Sequence, residues 1–128
     1  MAKKKKIVID LLGGYDVNIG TLIENKDKQA FYRFVNVPSG KYKDIDYCWC
    51  WIDYPISPNK VLLKIELDKT DCKDGSIMID VNDILNQIAS KYEELWNEHQ
   101  DWFGHYLGEL YIELLEMYDQ HIFMYVGS

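Results

Sequence analysis

Arginine is nearly missing from this chain: Arg33 is the single one among fourteen Lys and Arg residues. The planar guanidinium fork grips phosphate at two points, so a preformed polyphosphate pocket is poorly supplied here. Cysteine is also scarce. Cys48, Cys50 and Cys72 are an odd set of three, which argues against a secreted disulfide framework and for a reducing cytoplasm. No apolar run approaches the roughly 20 residues needed to cross a bilayer, so no membrane partner is expected. Lys3 to Lys6 resemble the start of a secretory leader, but Ile7 to Leu12 is short, contains Asp10 and precedes no small-residue cleavage site. Residues 1–6 therefore read as a flexible basic tail on a single domain spanning 1–128.

The usual marks of catalysis are missing too. Gly13-Gly14 is followed by an alternating segment, with no Gly-x-Gly and no Gly-Lys-Ser/Thr. None of Ser39, Ser57, Ser76, Ser90 and Ser128 sits in a nucleophile elbow. A calcium loop set on Gly75 would place Thr70, Cys72 and Val81 where carboxylates are required. Cys48 and Cys50 lie two apart on a strand, outside the C-x₂₋₄-C spacing of zinc knuckles, and read as small buried hydrophobes. Asp101, His105 and Glu109 would share one face of a helix, but neither H-E-x-x-H nor paired Glu-x-x-His accompanies them. No catalytic residue, metal ligand or cofactor is assigned, and the chain is expected not to be an enzyme.

What is present is aromatic and acidic. Ten tyrosines, four tryptophans and four phenylalanines are a generous supply for this length. Tyrosine suits half-buried surfaces and interfaces because a large ring carries a water-tolerant hydroxyl. Charge is divided unevenly. Residues 1–75 are net +2, whereas residues 76–128 set Lys91 alone against ten acids, net −9, giving −7 for the chain.

Hydrophobic periodicity predicts the fold. Residues 5–12, 15–24, 31–37, 45–53, 61–68 and 76–79 read as strands, separated by turns at Gly13-Gly14, 24–28, Pro38-Ser39-Gly40, Pro55 to Pro58 and 71–75. At Asp80 the period changes from two to 3.6, with Asp80 as a helix N-cap and Asp83 three residues later. From Val81 to Met117 apolar residues step by threes and fours, with a break expected near Gln100-Asp101, and 121–126 returns to strand. The expectation is α+β: a mostly antiparallel sheet of 5–7 strands with one or two long C-terminal helices packed on one face.

Two surfaces follow as partner-binding candidates. Glu94, Glu98 and Asp101, then Glu109, Glu113 and Glu116, recur at helical spacing as outward acidic stripes. Tyr47, Trp49 and Trp51 share one face of a strand. Side-chain volume favours that face as core, and the opposite outcome makes it a binding platform. The expected function is a cytoplasmic, non-enzymatic acidic interaction protein. Its specific form is an inhibitor or immunity-type protein of phage or mobile-element origin that blocks a basic site on a nucleic-acid-acting protein partner. The same charge opposes direct nucleic-acid binding. The alternative is a small-ligand or nucleotide-binding (sequestering) oligomeric module.

Overall fold

The computed structural model describes residues 7–25, 33–55 and 60–128. The expected tail at 1–6 and the turns at 26–28 and 56–58 lie outside them. Short strands β1 (Ile9–Asp10) and β2 (Val17–Asn18) lead into helix α1 (Ile19–Asn25). Strand β3 (Phe34–Pro38), the helical turn α2 (Ser39–Tyr42) and strands β4 (Tyr47–Ile52), β5 (Val61–Glu66), β6 (Lys69–Asp71) and β7 (Ser76–Asp80) follow. Helix α3 (Val81–Glu98) comes next, then 3₁₀ turns at Gln100–Trp102 and Leu107–Glu109, then strands β8 (Tyr111–Tyr118) and β9 (His121–Gly127).

The fold is α+β, with two sheets. Six strands form the larger one in the order β1-β8-β9-β4-β5, with β2 also pairing β8, and β3-β7-β6 form the smaller. The larger sheet is mixed, because the last strand inserts beside β4 in parallel, with Trp49 opposite His121 and Cys50 opposite Ile122. Its inner face is Cys48, Cys50, Ile52, Ile65, Ile112, Leu115, Met117, Ile122, Met124 and Val126, all buried in one core cluster with α1 and α3. Helix α3 contributes Ile84, Leu85, Ile88, Tyr92 and Leu95 at the 3.6-residue period.

Asp80 caps α3 as expected: its Oδ1 accepts the Asp83 backbone N–H at 3.2 Å. Asp83 does not complete a capping box; its carboxylate accepts from Gln87 Nε2 at 3.1 Å. The helix stops at Glu98, where His99 leaves helical geometry (φ −138°, ψ 49°), close to the expected break.

Three expectations are corrected. Residues 15–24 are not one strand: Asn18 Oδ1 accepts from Thr21 N–H at 2.9 Å and caps α1, whose Ile19 and Leu22 are buried. The second helix does not form, and most of its span is β8. A bulge between Ile112 and Leu114 inserts Glu113, so buried Ile112 and Leu115 fall three apart and imitate helical spacing. The long helix therefore lies mid-chain, and a β-hairpin ends the fold. It turns at Asp119-Gln120, with Asp119 in the left-handed region at φ 51°.

Candidate functional site

With the cysteine side of β4 facing the core, its aromatic side faces away. Tyr47 and Trp49 are half-buried and Trp51 is 52% exposed, which corrects the expectation that this face is core. The core volume comes instead from α3 and from Ile122, Met124 and Val126 of the inserted β9. Cys48 and Cys50 are free, fully buried thiols, and burial pushes each up to about 12.

The register assembles the open face row by row. Trp49 stands opposite His121 on β9 and Lys64 on β5, and His121 stands opposite Tyr118 on β8. Two residues along, Trp51 faces Leu62, and Phe123 faces Glu116. Leu114 pairs with Tyr125, and Tyr111 with Gly127. Among the described residues eleven large hydrophobics are exposed, and six of them (Trp51, Leu62, Tyr111, Leu114, Phe123, Tyr125) lie on this one face. The rings brace one another. Tyr118 and Phe123 stack at 5.0 Å, Tyr47 meets Trp49 edge-on at 5.5 Å, and Lys64 Nζ sits 4.3 Å above the Tyr47 ring. A recess of about 260 Å³ opens among Trp49, Trp51, Asp53, His121 and Phe123.

The acidic candidates are scattered by comparison. Glu94 and Glu98 are exposed on α3, and Glu94 pairs with Lys91 at 3.3 Å. Asp101 lies beyond the helix end, inside a 3₁₀ turn. Glu109 belongs to the next 3₁₀ turn, where Oε1 accepts the Tyr106 backbone N–H at 2.9 Å. Glu113 is the bulge residue, and its carboxylate lies over Gly127. Glu116 is on the open sheet face beside Asp10. The stripe of Glu109, Glu113 and Glu116 is thus not a helix face. Nor do Asp101, His105 and Glu109 form a helical ligand set, although His105 Nδ1 approaches Glu109 Oε2 at 3.9 Å. Among the described residues no group of three or more His, Cys, Asp or Glu is placed to hold a metal ion. Among the same residues no helix is long and apolar enough to cross a membrane.

Sequence reasoning missed the β8 and β9 contributions, Tyr111, Leu114, Tyr118, Phe123 and Tyr125. The signal for β9 was its strict alternation, which puts His121, Phe123 and Tyr125 on one side. A second feature lies at the sheet edge. Gln87 on α3 uses its side-chain amide like a strand residue: Oε1 accepts the Glu66 N–H at 2.9 Å and Nε2 donates to the Glu66 carbonyl at 2.8 Å.

No family model, curated protein or solved structure matches the chain.

Proposed function

We propose that this chain is a non-enzymatic binding protein that docks a protein partner on the open aromatic face of its larger sheet. The observation that carries this reading is the gathering of six of the eleven exposed large hydrophobics on that one face. Contiguous aromatic surface of this kind is costly to leave in water, and it is the composition of interface centres. The charged groups around it are chiefly acidic, with Asp10, Asp53, Glu66, Glu113 and Glu116 against Lys64. An apolar centre with an acidic rim fits a partner whose own site is apolar at the middle and basic around it. The narrower form of the proposal is an inhibitor or immunity-type protein of phage or mobile-element origin, covering a basic site on a nucleic-acid-acting partner. Its support is the net charge of −7 and the acidic rim. Aromatic sheet faces also stack bases, but those sites need a basic groove to carry the backbone, and Lys64 is a meagre supply.

The recess beside Trp49 and Phe123 favours a second reading, a flat aromatic ligand held by stacking. One experiment separates the two. The tagged chain and its Trp51→Ser/Phe123→Ser variant, checked for equal melting temperature, are each used to capture proteins from host lysate at low salt. The docking reading expects a protein retained by wild type and lost by the variant, with retention falling as salt rises. Equal capture by both forms contradicts it. A thermal shift with a metabolite, without protein capture, supports the ligand reading.

A further inference from the structure

Strand β5 is the last strand of the larger sheet, and among the described residues no other strand pairs with its outer side. In an antiparallel strand the N–H and C=O of one residue point to the same side, and successive residues alternate. Leu67 donates inward to the Asp46 carbonyl at 2.9 Å, whereas both backbone groups of Glu66 turn outward to Gln87. Leu62 and Lys64 share the parity of Glu66, so their N–H and C=O groups also point outward. Gln87 therefore fills one of three outward positions and leaves two. Alongside runs a groove of about 390 Å³ between the strand and α3, walled by Leu63, Asn86, Gln87, Ser90, Lys91 and Glu94.

We propose that the outer edge of β5 accepts an extended, lysine- or arginine-bearing segment of a protein partner as an added strand, with alternate side chains entering the groove beside α3. Two observations point there independently of the aromatic face. The Gln87 amide shows that this edge bonds a group with the donor and acceptor of a peptide, in the position a partner strand would continue. The charges decide the occupant. On the groove wall Lys91 and Glu94 pair with each other at 3.3 Å, and at its Gln87 end carboxylates gather: Asp83 accepts from Gln87 Nε2 and has Asp68, Asp80 and Glu66 near it. Burial, and then the proximity of Asp68, Asp80 and Glu66, raises the Asp83 pKa. A second copy of this acidic chain would bring like charge to like. A basic strand brings the complement, with main-chain bonds supplying affinity and alternate side chains specificity.

The test uses the full chain and a labelled decapeptide of alternating lysine and valine, with a glutamate/valine peptide as control. Binding is read by fluorescence anisotropy and by amide hydrogen exchange. The lysine peptide is expected to bind at least tenfold tighter than the control and to slow exchange at the Leu62 and Lys64 amides. Leu62→Pro removes an outward N–H while leaving the β4 ladder its donors, and should weaken binding at least tenfold. Gln87→Ala frees Glu66, and should tighten binding at least twofold and extend protection to the Glu66 amide. No binding, equal binding of the two peptides, or binding without protection at Leu62 and Lys64 overturns the proposal. So does weaker binding by Gln87→Ala, or a dimer whose β5 amides are already protected without peptide. Leu62 also belongs to the open face, so the separation rests on Gln87→Ala on α3, which leaves that face unchanged, and on Trp51→Ser/Phe123→Ser, which keeps the outward amides of β5, and the two surfaces can fail separately.

Discussion

Gly20 sits where a side chain has no room. A Cβ there would lie 2.8 Å from the Gly108 Cα, which is backbone and cannot rotate away. Asn18 fastens the same junction, donating from Nδ2 to the Gly108 carbonyl at 2.9 Å. Gly20→Ala should therefore destabilise by about 1–3 kcal/mol in denaturant unfolding. Gly127→Ala is the contrast. The atoms nearest its Cβ would be those of the Glu113 carboxylate, the end of a flexible side chain, so a loss within about 0.5 kcal/mol is expected. Asp80→Ala removes the α3 cap and should cost about 1 kcal/mol. Asp83, three residues on, is held above its usual pKa by burial and then by Asp68, Asp80 and Glu66. A carboxyl raised on folding adds stability that is full below its unfolded pKa, 3.8, and lost as pH rises through the higher folded value. Asp83→Asn should thus be more stable than wild type at pH 7, and the gap should close as pH falls below that unfolded value. A constant gap across the titration would contradict the carboxylate-crowding argument.

Among the elements, α3 was legible because two signals agreed: the Asp80 cap and an unbroken 3.6-residue apolar series from Val81 to Leu95. Strands β3, β4, β5 and β7 were legible from alternation bounded by Pro and Gly. Residues 104–117 were not, because local pattern and tertiary pairing disagreed. The bulge at Glu113 shifts the inward set by one, and Leu110, Leu114 and Met117 then mimic one helix face although Leu114 points outward and Met117 inward. Helix α1 hid behind a chance alternation over 15–21, although Asn18 before Ile19 and Leu22 was the capping signal. Which side of β4 is buried could not be read from β4 itself. It depends on where the C-terminal strand inserts, a contact between residues some 70 apart in sequence. That assignment has a stability consequence. Ile122→Ala on the inner face should cost about 2–5 kcal/mol, whereas Trp51→Ala on the open face should cost under about 1 kcal/mol despite the larger side chain. Comparable losses in paired unfolding curves would mean that the aromatic side is core.

Over the whole molecule, one sheet does two jobs on its two sides. Its inner side makes the core with α1 and α3, and its outer side gathers aromatic residues from β4, β8 and β9, with Leu62 and Lys64 from β5. On the docking proposal, the net charge of −7 would attract a basic partner over long range, screened within about 8 Å at physiological salt, so association should slow as salt rises. Reversing Glu109, Glu113 and Glu116 to lysine together should slow it further. No one of those substitutions should abolish binding, since exposed pairs contribute about 0–1 kcal/mol each. Affinity should reside in the aromatic centre. Hydroxyl-radical footprinting of the chain, free and bound to a captured partner, tests this most directly. The expected result is protection of Trp49, Trp51, Phe123 and Tyr125 on binding, with Trp96 and Trp102 unchanged. Protection at Trp96 and Trp102, with the four sheet residues still reactive, would contradict it and move the functional surface to the end of α3.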